Sequence, residues 1–237
     1  MNIFITGISS GIGNGLTKYY LNSKHRVYGV SRHKPDIPDD KGQLFFRSLD
    51  ISDFEKVKAD IPLLLQNIDN LDVVILNAGI LPEIGDLTDT SLEELKRVMD
   101  VNLWANKVLI DILFKTVDKI RQVVAISSGA SVSGSRGWNG YAISKAALNM
   151  MIKLYSREYP ATHFSAFAPG LVDSKMQAYI ARLEENKKFP VLEKLHDARG
   201  TDAMPSADKA APVLAEGFAL AREYESGSFI DIRKMKK

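Results

Sequence analysis

The chain contains no cysteine. That excludes disulfides, thiolate metal ligands and thiol nucleophiles, and it is compatible with a reducing compartment. Histidine is scarce as well: His25, His33, His163 and His196 are scattered, with no spacing that would place two on one metal ion. No apolar run approaches the ~20 residues needed to span a bilayer. The first residues, Met1-Asn2-Ile3-Phe4-Ile5, hold no basic start followed by a long apolar stretch, so no secretory signal is expected. An excess of one charge is also missing. Lys and Arg number 31 against 29 Asp and Glu, a net of +2. With both signs interspersed, there is no electrostatic basis for binding nucleic acid or an acidic membrane. These absences lead us to expect a soluble, cytoplasmic protein without a metal centre.

What is present is an ordinary globular composition, 45% hydrophobic and 25% charged over 237 residues. That is enough chain for one large core. Short β-prone runs at 3–6, 26–31, 43–49, 72–76, 122–127, 163–168 and 228–232 alternate with helical periods at 14–21, 54–68, 92–118, 141–159 and 207–224. The 72–76 run is apolar throughout its centre, as expected of a parallel strand covered on both faces. Ser91 with Glu94 has capping-box spacing for the 92–118 helix. Residues 171–201 are polar with a helical period, and 233–237 form a basic tail expected to be solvated. The alternation predicts an α/β fold with right-handed crossovers. We expect a single-domain Rossmann fold over 1–237, a doubly wound, mostly parallel sheet of about seven strands with helices on both faces.

Two patterns carry chemistry. Thr6-Gly7-Ile8-Ser9-Ser10-Gly11-Ile12-Gly13 lies between the first strand and the first helix, where a doubly wound fold binds dinucleotides. Its glycines allow a sharp turn and close approach to a pyrophosphate, and the helix N-terminus supplies free N–H groups. The second pattern is Tyr141-Ala142-Ile143-Ser144-Lys145, which places a phenol and an amine one helical turn apart. A nearby ammonium favours the phenolate, so the pair is expected to exchange a proton near neutral pH. Taken alone, either pattern is weak.

Together with others in order, they make the chain resemble the short-chain dehydrogenase/reductase family, in its shorter single-domain branch. Thr6 to Gly13 matches the family's T-G-x-x-x-G-x-G turn. Asn77-Ala78-Gly79 matches the N-A-G that shapes the floor of the cofactor site. Asn102 is similar to the family's helix Asn, Ser128 to its active-site Ser, and Tyr141 with Lys145 to its Y-x-x-x-K. Pro169-Gly170-Leu171-Val172-Asp173-Ser174 is similar to the stretch contacting the nicotinamide end, with Ser174 where Thr is usual.

The resemblance implies reversible hydride transfer between a nicotinamide and a carbonyl or alcohol. Tyr141 is then the general acid/base. Lys145 lowers its pKa and holds the nicotinamide ribose, Ser128 fixes the carbonyl oxygen, and Asn102 holds a water linking Lys145 to solvent. Gly7, Ser9, Ser10, Gly11, Ile12 and Gly13 would take the pyrophosphate; Pro169, Gly170, Val172 and Ser174 the nicotinamide. Asp50-Ile51 resembles the adenine-contacting pair, although Asp50 could instead cap the next helix.

The end of the second strand reads Val30-Ser31-Arg32-His33-Lys34, with Ser31 where an NAD-binding carboxylate would stand and Arg32 beside it. A guanidinium grips a phosphate with two prongs, so NADP(H) is expected over NAD(H). In the family, the pocket is lined by the loop after the active-site Ser and by the segment after P-G. Here these are 129–139, with Trp138, and 174–205, with Met176; residues 182–199 are a candidate lid. The family's habit implies a homodimer or homotetramer through the 92–118 and 141–159 helices. The chain ends soon after its last strand without the usual terminal Gly pair, leaving the tail's part in a tetramer open. The sequence around Tyr141 is also similar to the C-factor/sniffer group, some of whose members are linked to signalling. The alternative function is therefore a catalytically idle NAD(P)-binding regulator on the same fold.

Overall fold

A computed structural model describes residues 1–38, 42–183 and 188–235. Seven parallel strands form one sheet: β1 (Asn2–Thr6), β2 (Arg26–Ser31), β3 (Leu44–Ser48), β5 (Val73–Leu76), β7 (Gln122–Ile126), β8 (His163–Ala168) and β9 (Ser228–Asp231). Their order across the sheet is β3-β2-β1-β5-β7-β8-β9. The two remaining strands, β4 (Asn70–Leu71) and β6 (Lys119–Ile120), pair with each other just before β5 and β7.

The sequence makes this a three-layer structure through its period of two. In β1, Phe4 points into one core while Ile3 and Ile5 point into the other. In β7, Val123 and Ala125 face the first core and Val124 and Ile126 the second. The first core is closed by α2 (Phe54–Leu65), α4 (Ala105–Thr116) and α6 (Asn139–Glu158). The second is closed by α1 (Gly11–Asn22) and α9 (Ala207–Leu220). Phe4, Ile5, Val124 and Phe167 are each fully buried, and each such side chain contributes about 1.5–3 kcal/mol relative to exposure.

Chain order reverses between β1 and β5, so a crevice opens outside the carboxyl ends of those two strands. This is where the Gly-rich turn sits.

Several expected elements are divided. The 92–118 helix is α3 (Leu92–Met99), a π-helical stretch over Asp100–Trp104, and α4. Ser91 does cap α3, its Oγ accepting from the Glu94 N–H at 3.1 Å. The loop after Ser128 contains a short helix, α5 (Ala130–Ser133). The 171–201 stretch contains α7 (Lys175–Ile180) and α8 (Val191–Ala198); residues 184–187 of the expected lid lie outside the described residues, as do 236–237 of the tail. The final helix stops at Leu220 and tightens into a 3₁₀ turn, Ala221–Glu223. Among the described residues no helix is long and apolar enough to cross a membrane.

Candidate active site

The crevice is a cleft of about 830 Å³ whose walls come from the carboxyl ends of β1, β2, β3, β5, β7 and β8 and from α6, α7 and α8. At its floor, Gly7 (φ +75°) and Gly11 (φ +56°) occupy left-handed backbone that other residues adopt only with strain. The Ser10 side chain makes no capping bond to α1, so it leaves the first N–H groups of that helix uncapped. Gly7, Ser9, Ser10, Gly11 and Ile12 all line the cleft. Gly13 instead lies beneath the turn: a Cβ there would sit 2.3 Å from the Gly7 carbonyl oxygen, so it permits close packing rather than contact with a ligand.

Asn77 and Thr6 knot the reversal point together. The N–H groups of Asn77 and Ala78 donate to Thr6 Oγ1, each at 2.9 Å, and Asn77 Nδ2 donates to the Thr6 carbonyl at 2.9 Å. Asn77, Ala78 and Gly79 line the cleft beyond that knot.

Arg32, Asp50 and Ile51 line one end of the cleft. Ser31 turns the loop there by donating from its hydroxyl to the His33 carbonyl at 2.7 Å. Asp50 is not the cap of α2; Asp53 is, accepting from the Lys56 N–H at 3.1 Å. Burial pushes the Asp50 carboxyl up, but hydrogen bonds from Ser52 and the charge of Arg32 outweigh it and hold the group below its ordinary value.

At the other end, the first turn of α6 carries Tyr141, which is buried and hydrogen-bonded to Ser128. Burial raises its pKa, and the bond to Ser128 offsets part of that rise. Lys145, one turn on, is 4% exposed and donates from Nζ to the Ile126 carbonyl at 2.7 Å. Its Nζ lies 5.8 Å from the centre of the Tyr141 ring, and burial lowers its pKa to about 8. The expected direction for Tyr141 is therefore reversed in this structure. Desolvation disfavours both charged forms.

Asn102 is fully buried in the π-helical stretch. Its Oδ1 accepts from the Ile80 N–H at 2.8 Å, while Nδ2 donates to the Ile80 carbonyl at 2.9 Å and to Ser144 Oγ at 3.0 Å. The side chain thus braces the loop after β5 against α6. The π turn around Asn102 is the local departure from α geometry that such sites often show. Gly79 allows the brace to come close, since a Cβ on it would stand 3.1 Å from Asn102 Oδ1.

Ser128, Trp138 and Met176 line this same end, with Pro169, Gly170 and Val172 opposite. Trp138 is tilted against Tyr141 with ring centres 5.7 Å apart. Ser174 caps α7, accepting from the Gln177 N–H at 3.4 Å, and so aims Met176 at the cleft. A small third cluster, Ile180, Phe189, Leu192, Leu195 and Met204, packs on Trp138, and its Ile180 and Leu195 line the cleft. Asp86 ties its edge down, accepting from Arg136 at 2.6 and 2.7 Å and from Lys188 at 2.7 Å. Among the described residues no His/Asp/Glu cluster could hold a metal.

One residue that sequence reasoning missed also lines the cleft. Arg233, placed in the solvated tail by its Arg-Lys-Met-Lys-Lys context, reaches back to Gly129 and Gly170.

The sequence model of the short chain dehydrogenase family matches residues 1–185. A benzil reductase ((S)-benzoin forming) of Bacillus subtilis (strain 168) is 31% identical over 97% of this chain and 97% of its own. A benzil reductase of Saccharomyces cerevisiae is 32% identical over 74% of this chain and 73% of its own. Among solved structures, the KRED1-Pglu enzyme superposes with a TM-score of 0.85 at 22% identity, over 97% of this chain and 100% of that one. The chain belongs to the short-chain dehydrogenase family. It is an oxidoreductase of the dehydrogenase/reductase class, built on the Rossmann-like sheet described above.

Proposed function

We propose that this enzyme is an NADP(H)-dependent carbonyl reductase in which Tyr141 is the general acid. The observation that carries the reading is the cleft's polarity. A glycine turn fitted to a pyrophosphate occupies its floor, and a hydrogen-bonded Ser128–Tyr141 pair stands at one end. The left-handed glycines and the uncapped start of α1 fit a dinucleotide. Gly7, Ser9, Ser10, Gly11 and Ile12 would hold its pyrophosphate, Arg32 and Asp50–Ile51 its adenosine end, and Pro169, Gly170, Val172 and Ser174 its nicotinamide end. When bound, the nicotinamide supplies the hydride.

The chain's own residues do the rest. The Ser128 hydroxyl donates to the substrate oxygen and holds it beside Tyr141. The Tyr141 hydroxyl gives its proton to that oxygen as negative charge grows there. Lys145, charged below about 8, stabilises the phenolate left behind. The Asn102 brace keeps α6 and the loop after β5 in register. Residues 174–183 and 188–205 would supply the substrate-binding wall, and the named benzil reductases support a ketone as substrate. A homodimer would bury the exposed Trp104, Met150 and Leu154, which are 47%, 57% and 57% exposed on the helices expected to pair.

Arg32 tests the cofactor. Arg32→Ala is expected to raise the KM for NADPH about tenfold or more, the value of a lost charge-assisted bond, with the KM for NADH nearly unchanged. Steady-state kinetics with both cofactors decide; equal losses would remove Arg32 from the 2′-phosphate site.

A further inference from the structure

We propose that Arg233 is a specificity residue that recognises a second carbonyl oxygen vicinal to the one being reduced, selecting 1,2-dicarbonyl substrates. This rests on the placement of the reacting oxygen at Ser128 and Tyr141.

The position comes first. Asp231 ends β9 in register with Ala168, just before the Pro169-Gly170 turn. Two residues on, Arg233 folds back over that turn, its Cδ 3.7 Å from where a Gly170 side chain would begin. Its Nη2 lies 3.2 Å from a Cβ built on Gly129, the residue after Ser128. Gly129 has ordinary helical backbone angles, so its dihedrals do not demand glycine; the guanidinium occupies the space a side chain would fill.

The geometry is held. Asp231 accepts from Arg233 Nε at 2.9 Å and Nη2 at 2.6 Å, and from the Arg233 backbone N–H at 3.0 Å. The Asp231 side chain is 6% exposed, that of Arg233 59%. The carboxylate is an inner anchor and the guanidinium its outward face. A guanidinium has five N–H donors, and two go to Asp231. Arg233 lines the cleft, its Nη2 beside the residue after Ser128, and among the described residues no other group accepts from its remaining N–H donors.

Charge narrows the ligand. Asp231 already neutralises the cation, which weakens its pull on a full anion while leaving oriented donors for a neutral acceptor. A ketone oxygen one carbon from the reacting centre fits that requirement. The substrate would then be gripped at both oxygens, one by Ser128 and Tyr141, the other by Arg233. Reduction gives a hydroxyketone: hydride to one carbonyl carbon, the Tyr141 proton to its oxygen, and the second carbonyl unchanged.

The test compares benzil with deoxybenzoin, which keeps both rings and one ketone but lacks the second oxygen. For Arg233→Met, kcat/KM on benzil is expected to fall about 10- to 100-fold, mostly through KM. Deoxybenzoin and NADPH constants should stay within about threefold, and the enantiomeric purity of the benzoin should drop. Arg233→Lys keeps a charge beside Asp231 but loses the fork, and should show the same substrate-dependent loss in smaller degree; it decides the matter if the Met variant folds poorly. Equal losses on both ketones, a loss confined to NADPH, or unchanged benzil kinetics would each overturn the assignment. If wild type reduces neither ketone nor any simple aldehyde, it is the placement of the reacting oxygen that fails instead.

Discussion

Tyr141→Phe should lower carbonyl reduction by about 10²–10⁴-fold, the usual worth of a positioned proton donor, while the Kd for NADPH stays near that of wild type. The substitution removes one oxygen from a buried ring that packs against Trp138, so the wall of the cleft keeps its shape. It also leaves Ser128 without its partner, but that hydroxyl still accepts from the Ala130 N–H at 3.1 Å. A melting temperature close to wild type is therefore expected alongside the lost turnover. Because burial holds the Tyr141 pKa above its ordinary value, the phenol remains protonated through neutral pH and reduction should not decline there by loss of the acid. Wild-type rates persisting in the Phe variant would remove Tyr141 from proton transfer.

Lys145→Met is expected to abolish efficient turnover and yet make the protein more stable at pH 7. The fall in the Lys145 pKa from 10.5 to about 8 corresponds to roughly 3 kcal/mol of penalty on the buried ammonium. Below about pH 8 the amine is charged in the folded and unfolded chain alike, so the whole penalty bears on folding. Between about 8 and 10.5 the folded chain has shed the proton while the unfolded chain keeps it, and the penalty fades. Above that it is gone. Met fills similar space without charge, but the Ile126 carbonyl loses its 2.7 Å donor, which costs about 1 kcal/mol or more. The net gain is about 1–2 kcal/mol at pH 7, or some 2–4 °C in Tm for each kcal/mol in a chain of this size. Thermal melts at pH 7 and pH 10 should show the gain in the first and little of it in the second. A variant destabilised at pH 7 would contradict the cost assigned to burying the amine.

The sheet and the cleft were legible because both are written in short-range patterns. Alternating apolar positions in β1 and β7 specify two cores, and glycines directly after β1 specify the turn. What escaped depends on contacts far apart in sequence. The break at Asp100–Trp104 keeps helical character on both sides, so periodicity reads straight through it; it is the brace from Asn102 to Ile80 and Ser144 that marks the place. Gly13 looks like its neighbours in the motif, and only the nearness of the Gly7 carbonyl shows that it packs rather than lines. The Tyr141 pKa went the other way because a sequence displays the lysine's charge but not the burial that opposes it.

Arg233 is the sharpest case. In a run of basic residues it looks solvated. Asp231, two residues earlier at a strand end, was the available signal, since an acid beside a base at that spot can fold the base back onto the sheet. That the fold-back ends at Gly129, more than a hundred positions away, is a property of strand order alone.

Hydride transfer from NADPH to a carbonyl carbon, with Tyr141 as acid, is tested most directly by deuterium. Wild type and Tyr141→Phe would each be incubated with NADPH deuterated on the transferring face and with benzil, deoxybenzoin and a set of simple aldehydes. The expected result is deuterium on the carbinol carbon of at least one product, equal in amount to the NADP⁺ formed, in wild type and nearly absent in the variant. Tight NADPH binding with no deuterium in any product would contradict the reductase and favour a cofactor-binding regulator on the same fold.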